Sequence, residues 1–280
     1  MTTSAAPAHL FEREGNIWTP QQACIGPWAP DLLHGGPVAA LCVSVAEAAL
    51  DDPEFITTRL SLDLVRPVPL RPLDVSVTPL KSGRRVHLID VEVRDAGRDV
   101  AFARVQRTRA NLIELPPLDD TGARTAPPPD TPESFTPFDE QMAPRRPAPF
   151  FRLATEMRTP TALGIFGRGA TLGWLRVYAD LLPGIPLSNA AAVCAAADYT
   201  NALGAPESPA ESQLLFANAD LTVHLVRTPE SKWVRMQPIT VWGEHGLGHT
   251  RCDLSDLRGM LGTSAVTLPL SNRPRADGES

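Results

Sequence analysis

The 280-residue sequence lacks the features that mark a membrane-spanning or secreted protein. No stretch approaches the roughly 18 consecutive apolar residues that a transmembrane helix needs. The segment from Met1 to Leu10 has neither the basic start nor the apolar core of a signal peptide. A formal net charge of −6 disfavours nucleic acid and anionic membranes, because both need a basic surface. We therefore expect a cytoplasmic protein with no nucleic-acid partner and no membrane partner.

Cysteine is scarce, and common catalytic motifs are missing. Cys24, Cys42, Cys194 and Cys252 are widely separated, with no Cys-x-x-Cys pair and no Cys/His ligand spacing, so we expect no metal. Cys42 and Cys194 lie in apolar runs and are expected to pack as small buried hydrophobes. The sequence has no Gly-x-Ser-x-Gly motif and no phosphate-binding loop. It therefore gives no support for a serine nucleophile or for nucleotide hydrolysis.

Proline, by contrast, is abundant and unevenly placed. Residues 114–149 hold ten of the 29 prolines. Proline lacks the N–H group that helices and central strands need, so this segment is predicted to be an extended linker without regular structure. The predicted organisation is a module at residues 1–113, the linker at 114–149 and a second module at 150–280.

The sequence repeats one pattern about 160 residues apart. In each copy an apolar helix pattern, at 38–50 or 188–201, precedes a strand pattern that ends at Arg66 or Arg227. A helix lying on an antiparallel sheet, present twice in one chain, is the α+β architecture that this order predicts. The strand patterns are residues 57–65, 73–82, 85–94 and 99–109 in the first copy, and 171–180, 216–227, 233–243, 248–255 and 262–270 in the second.

These features resemble the double-hotdog acyl-CoA thioesterases of the thioesterase II type. The matching residues are Gly35-Gly36 at the first helix, Ala197-Asp198 at the second, Asn218 to Arg227 on the next strand, and Asp256 to Gly259 before the last strand. The resemblance covers most of the chain outside the linker and the termini. It implies a helix wrapped by a curved antiparallel sheet in each half, an acyl-CoA pocket between the halves, and no metal or redox cofactor. A homodimer is compatible with it.

The resemblance also implies a catalytic trio of Asp, Thr (or Ser) and Gln that positions a water molecule against the thioester carbonyl. The three positions in this sequence are Asp198, Asn218 and Thr267, so the aspartate alone matches the family pattern. A carboxylate in an otherwise apolar helix is costly unless it is hydrogen-bonded or functional, which makes Asp198 the candidate base. Asn218 and Thr267 are the candidates that would orient the water.

Four further residues are candidate substrate-binding groups. Gly35 and Gly36 would offer helix-start N–H groups to a thioester oxygen or a CoA phosphate, or else form a tight turn that needs small residues. Arg66 and Arg227 would bind phosphates of CoA, or else tie their strand ends to nearby carboxylates.

His34 and Glu47 are expected to have ordinary roles. A single histidine before a helix is more often structural than catalytic. Glu47 occupies a helix position loosely equivalent to that of Asp198, and we expect it on a solvated helix face.

The resemblance predicts hydrolysis of a fatty-acyl or related CoA thioester. The alternative is a protein of the same fold that binds acyl-CoA without hydrolysing it. A third and weaker hypothesis is a hydratase or dehydratase. That reaction would need a histidine and an acid aimed at one carbon, and the second helix has no histidine.

Overall fold

The structure is a computed structural model that describes residues 8–111, 113–114, 126–138, 148–160, 172–205 and 214–272. The helices are α1 Gly35–Ala49, α2 Pro149–Ala154, α3 Asn189–Ala197 and α4 Thr200–Gly204. The first six strands are β1 Phe11–Glu14, β2 Ile17–Pro20, β3 Phe55–Asp63, β4 Leu73–Ser82, β5 Val86–Asp95 and β6 Arg98–Arg109. The others are β7 Thr136–Pro137, β8 Thr155–Thr159, β9 Gly173–Val177, β10 Asp180–Leu182, β11 Ile185–Pro186, β12 Leu214–Phe216, β13 Asp220–Leu225, β14 Trp233–Gly243, β15 Leu247–Asp256 and β16 Gly259–Asn272.

One antiparallel sheet runs through both halves of the chain. Among the described residues its strand order is β1-β2-β4-β5-β6-β3-β13-β16-β15-β14-β9-β8-β7, with β12 beside β16. The halves join where β3 pairs with β13. Ser61 pairs with Arg104 in the first half and Thr222 pairs with Ala265 in the second, so equivalent strands have the same register. This arrangement confirms the predicted α+β double hotdog.

The two longer helices, α1 and α3, pack against each other in the core. All residues from Gly36 to Val43 are buried in α1, and Ala190 to Ala197 are all buried in α3. Alanine and glycine let the helices approach closely, because they have little or no side chain at the contact. The helix predicted to span 188–201 is interrupted, since α3 ends at Ala197 and α4 begins at Thr200. The break places Asp198 at the C-terminus of α3.

The prediction that residues 114–149 lack regular structure is wrong for their described central part, residues 126–138. A short 3₁₀ helix, Pro132–Ser134, lies there, and β7 pairs with β8 at the end of the sheet. The Asp130 carboxylate accepts hydrogen bonds from the Trp174 indole and from Arg235. Proline is tolerated in the first turn of a helix and on an edge strand, which are the positions found here. The module boundaries stay predictions.

The four cysteines are buried and form no disulfides, which confirms the packing role expected for Cys42 and Cys194. Burial raises the pKa of the Cys42 thiol to about 12. Within the described ranges, no helix has both the length and the apolar character to cross a membrane.

Candidate active site

A buried polar cluster forms around Asp198, where the end of α3 meets the start of α1. Asp198 is the C-cap residue of α3, and its exposed fraction is 5%. His34 belongs to the first half and is the N-cap residue of α1; its Nδ1 lies 2.7 Å from Asp198 Oδ2. Asn218 precedes β13 in the second half, and its Nδ2 donates to Asp198 Oδ1 at 2.6 Å. Residues from both halves of the chain therefore contact the same carboxylate, that of Asp198.

Asn218 fixes the end of α3 as well as the carboxylate. Its Nδ2 also lies 3.0 Å from the backbone oxygen of Asp198. The last carbonyls of a helix have no partner within the helix, so this contact satisfies a group that would otherwise be buried and unpaired. Asn201 Nδ2 donates to Asn218 Oδ1 at 2.5 Å, which sets the orientation of the Asn218 amide. Asp198 is thus held in one position by a hydrogen-bonded chain.

The contact between His34 and Asp198 determines which nitrogen of His34 carries a proton. Two acceptors do not approach to 2.7 Å unless a hydrogen lies between them, and an ionised carboxylate only accepts. Nδ1 therefore donates to Asp198. The Gly36 N–H lies 3.1 Å from Nδ1, but a protonated Nδ1 cannot accept, so we assign this N–H to the Asp198 carboxylate. In the neutral imidazole, Nε2 is then the acceptor.

Asp198 is ionised at neutral pH despite its burial. Burial alone would raise the pKa of Asp198, but the positive charge of His34 when it is protonated, and hydrogen bonds from His34, Asn218 and the Gly36 N–H, hold it below its ordinary value. The carboxylate also lies at the N-terminus of α1, where the helix dipole favours negative charge. The site therefore contains a fixed, buried anion.

Gly35 and Gly36 make room for this carboxylate and for the contact between the helices. A Cβ atom at Gly35 would lie 2.7 Å from both carboxylate oxygens of Asp198. A Cβ atom at Gly36 would lie 2.8 Å from the Ala195 carbonyl oxygen and 2.8 Å from the Phe150 ring. The close approach requires glycine at both positions. A role for these glycines in substrate binding stays a prediction.

Aromatic rings hold the imidazole of His34 on two sides. Its ring stacks on Tyr199, with centroids 4.6 Å apart and planes inclined by 29°, and it lies 4.9 Å from the Phe150 ring. These contacts restrict rotation of the imidazole. Together with the bond from Nδ1 to Asp198, they fix the direction in which Nε2 points.

Thr267 does not join the cluster. Its side chain is exposed, while its neighbours Val266 and Leu268 on β16 are buried. Because successive side chains of a strand point to opposite faces, Thr267 lies on the face of the sheet that points away from the core. The inward hydroxyl on this strand is that of Ser264, which bonds the Thr200 hydroxyl at 2.7 Å. The predicted meeting of Thr267 with Asp198 and Asn218 is not observed.

The two arginines occupy equivalent strand ends but have different partners. Arg227 forms a two-pronged ion pair with Asp256, which is 1% exposed, and also bonds the Gly259 carbonyl. This is the strand-end carboxylate contact, one of the two alternatives for Arg227. Arg66 is exposed and donates to the backbone oxygen of Asp99. Binding of substrate by either arginine stays a prediction.

Comparison with known proteins identifies the family. Residues 25–110 match the model of the acyl-CoA thioesterase N-terminal domain, and residues 124–268 match that of the acyl-CoA thioesterase C-terminal domain. The chain belongs to the acyl-CoA thioesterase family. No curated protein sequence matches the chain.

Solved structures share the fold of this acyl-CoA thioesterase family member. A candidate thioesterase from Novosphingobium aromaticivorans is 22% identical, with a TM-score of 0.69 over 94% of this chain and 99% of that chain. Acyl-CoA thioesterase II from Mycobacterium marinum is 16% identical, with a TM-score of 0.63 over 96% and 97% of the two chains. A hotdog-fold protein from Alicyclobacillus acidocaldarius is 14% identical, with a TM-score of 0.65 over 95% and 96%. At these identities the likeness shows the fold.

Two residues of this family member have contacts that differ from those expected from the sequence. His34 was expected to be structural, yet it contacts the candidate base directly. Glu47 was expected on a solvated face, but it is half-buried and accepts a hydrogen bond from Thr57 Oγ1 at 2.6 Å, so that expectation is wrong. The repeat indicates that Thr57 is the counterpart of Asn218, because Thr57 precedes Arg66 by the same nine residues that separate Asn218 from Arg227.

The pair of His34 and Asp198 also bears on the hydratase hypothesis. That hypothesis is the weaker one because the second helix has no histidine. The structure supplies the histidine from the first half, 2.7 Å from the acid. The absence of histidine from the second helix is therefore no argument against that chemistry.

Proposed function

We propose that this protein hydrolyses acyl-CoA thioesters, with fatty-acyl or related chains, at the cluster formed by His34, Asp198 and Asn218. The observation that carries the proposal is the 2.7 Å contact between His34 Nδ1 and the buried Asp198 carboxylate. Membership in the acyl-CoA thioesterase family supports the substrate class. We also propose a cytoplasmic location.

In this mechanism His34 is the base, and Asp198 determines which nitrogen of its imidazole carries the proton. Asp198 holds Nδ1 protonated, which leaves Nε2 to accept a proton from the attacking water. The water oxygen bonds to the thioester carbonyl carbon, and the carbon–sulfur bond breaks. The proton on Nε2 then passes to the departing thiolate. The products are a carboxylic acid and free CoA thiol.

We assign the base to His34 because the Asp198 carboxylate already accepts several hydrogen bonds. A carboxylate has about four acceptor positions. His34, Asn218 and the Gly36 N–H take three of them. An anion with this many donors is a weak base, whereas Nε2 of the neutral His34 imidazole is an unprotonated acceptor. Asn218 serves as a positioning residue for Asp198.

Arg66 is the better of the two arginine candidates for CoA phosphate. Arg227 is committed to Asp256 and to the Gly259 carbonyl, but Arg66 is exposed and is seen bonding one backbone oxygen. A guanidinium with donors still facing solvent can bind phosphate without breaking an existing ion pair. This assignment stays part of the proposal.

The test measures thiol release from acyl-CoAs of increasing chain length by wild type and by Asp198→Asn. Loss of the ionised carboxylate should lower kcat/KM by at least about 100-fold, the usual scale for disabling acid–base catalysis. Asp253→Asn is the matched control, because Asp253 is an exposed aspartate on β15. Thermal unfolding of each variant separates loss of chemistry from loss of fold.

Two other outcomes would replace the proposal. If wild type binds acyl-CoA but releases no thiol at any chain length, the protein is an acyl-CoA binding protein, consistent with the nearly saturated carboxylate of Asp198. If enoyl-CoA is hydrated by wild type and saturated acyl-CoA is not cleaved, the pair of His34 and Asp198 belongs to a hydratase.

A further inference from the structure

A second carboxylate pair lies in the first half of the chain. Glu47 is in the last turn of α1, and Thr57 Oγ1 donates to Glu47 Oε1 at 2.6 Å. In the second half, Asn218 Nδ2 donates to Asp198 Oδ1 at the same distance, 2.6 Å. Each pair joins the end of a core helix to the start of the strand that crosses the middle of the sheet. The two pairs therefore occupy corresponding places in the two halves.

The backbone around both pairs supports this correspondence. The register of β3 against β6 shifts between Thr57 and Arg59, where β3 advances two residues and β6 advances one. From Phe216 to Thr222 the chain advances six residues, while its partner β16 advances five, from Leu270 to Ala265. A bulge of one extra residue thus falls at each site. Such bulges redirect a side chain, and here each one accompanies a bond to a carboxylate.

The pair in the first half faces an open cavity of 270 Å³. Glu47 and Thr57 line it, together with Asn189 and Ala190 in the first turn of α3. Apolar side chains such as Phe55, together with the polar Ser188 and Thr228, complete the lining. Because a water molecule occupies about 30 Å³ in the liquid, the cavity has room for a reactive water and for the carbonyl end of an acyl chain.

Glu47 differs from Asp198 in its hydrogen bonds. The residue at the N-cap of α3 is Ser188, whose hydroxyl accepts from the Ala191 N–H, whereas the N-cap of α1 is His34. Among the residues that the structure describes, Thr57 is the one donor to the Glu47 carboxylate. Glu47 therefore keeps an oxygen for a water molecule and needs no imidazole to reach it.

We propose that Glu47, Thr57 and this cavity form a second acyl-thioester site, with Glu47 as its base. The substrate class rests on the function proposed for the His34 and Asp198 cluster. Glu47 accepts a proton from water, the water oxygen bonds to the carbonyl carbon, and the carbon–sulfur bond breaks. The proton passes from Glu47 to the departing thiolate. Thr57 positions Glu47, and the apolar lining holds the first carbons of the chain.

The test measures thiol release from short and long acyl-CoAs by wild type, Asp198→Asn, Glu47→Gln and the double variant. Glu47→Gln keeps the shape of the side chain and its acceptor for the Thr57 hydroxyl. We expect Asp198→Asn to retain a residual activity, strongest with short chains, that falls at least about 10-fold when Glu47→Gln is added. Asp51→Asn in the same background is the control, because Asp51 is exposed just beyond α1.

The outcomes separate the two sites. If Glu47→Gln changes thiol release no more than Asp51→Asn in both backgrounds, the second site is overturned while the Asp198 proposal stands. If Asp198→Asn has no effect and Glu47→Gln abolishes activity, the second site is supported and the Asp198 proposal fails. Absence of thiol release from wild type would overturn hydrolysis at both.

Substitutions of Thr57 provide a second test in which Glu47 itself is unchanged. In the Asp198→Asn background, Thr57→Val removes the hydroxyl while keeping the volume of the side chain, and Thr57→Ser keeps the hydroxyl. We expect a loss of residual kcat with valine and its recovery with serine. Equal activity in the two variants would show that the hydroxyl contributes nothing to the reaction.

Discussion

Each half of this chain has a carboxylate at the end of its core helix, but the two carboxylates differ in burial and in their hydrogen-bond donors. Asp198 is buried, and its donors are a histidine, an asparagine and a helix N–H. Glu47 is half-buried, bonds one threonine hydroxyl and faces a cavity. One acid is fixed and enclosed, while the other is accessible.

The difference follows from what lies at the start of the facing helix. α1 begins with two glycines, so α3 comes close enough for Asp198 to contact the first turn of α1. α3 begins with Asn189 and Ala190, which line the cavity together with Glu47. The two helix starts thus differ in residue size, and the acid that contacts the glycine start is the enclosed one. The two modules thus differ in their packing while their backbone register is kept.

The largest stability effect is expected from Gly36→Ala. The added Cβ would lie 2.8 Å from the Ala195 carbonyl oxygen and from the Phe150 ring, so the helices would have to separate. We expect a loss of about 2 kcal/mol in the free energy of unfolding, since overpacking outweighs the better helix propensity of alanine. Urea denaturation measures it.

The control for this variant lies at the corresponding position of the other helix. Ala190→Ser also adds one heavy atom, but it adds it toward the cavity. We expect a change below about 1 kcal/mol, because no close contact is forced and serine has only slightly lower helix propensity. Equal losses for Gly36→Ala and Ala190→Ser would show that the two helix starts are packed alike.

A smaller effect is expected from Arg227→Lys, compared with Arg66→Lys in the first half. Lysine cannot reproduce the two-pronged contact with the buried Asp256, so we expect a loss of about 1–2 kcal/mol. Arg66 is exposed, and Arg66→Lys should change stability by less than about 0.5 kcal/mol. The KM for acyl-CoA, measured for both, should rise for Arg66→Lys and stay constant for Arg227→Lys.

The stability difference caused by Arg227→Lys should depend on pH. Burial alone would raise the pKa of Asp256, but Arg227 and the N–H groups of Arg258 and Glu230 hold it below its ordinary value. A lowered folded-state pKa contributes stability above the unfolded pKa and loses it as the pH falls through the folded value. The variant should therefore approach wild type below about pH 4. A pH-independent difference would contradict the ion-pair interpretation.

A smaller loss of activity than that of Asp198→Asn is expected from Asn218→Thr, which gives Asp198 the kind of partner that Glu47 has. A threonine hydroxyl can still donate to Asp198, but it cannot also reach the backbone oxygen and Asn201. We expect kcat to fall by less than about 10-fold, with a stability loss of about 1 kcal/mol. Adding Thr267→Gln should change nothing further, because Thr267 is exposed; a gain in kcat would bring Thr267 back into the site.

Much of the architecture could be predicted from the sequence, because both copies of the repeat show the same order of helix and strand patterns. Apolar helix patterns, alternating strands and the matched pair of Arg66 and Arg227 predicted the duplicated module. The break after Ala197 was not predicted, because an alanine run with one aspartate has no helix-ending residue. The short strand Thr136–Pro137 is not predictable from proline density, which disfavours helices and central strands, because an edge strand accepts proline.

The site was only partly predictable because its contacts cross between halves. Asp198 and Asn218 were recognised and do meet. His34 lies far from them in the chain, and nothing in its local pattern indicates the 2.7 Å contact with Asp198. Thr267 was placed by resemblance, and its outward direction follows from strand alternation that a motif alone does not show.

The central claim is that the two halves build one reaction centre, and a double-mutant cycle on His34 and Asp198 tests it most directly. The cycle compares kcat/KM for thiol release by His34→Gln, Asp198→Asn and the double variant. Groups that act as a unit are strongly non-additive. We predict that each single variant loses at least about 100-fold and that the double variant loses no more than about threefold beyond the lower single one. Losses that multiply, or a His34→Gln variant as active as wild type, would contradict the account.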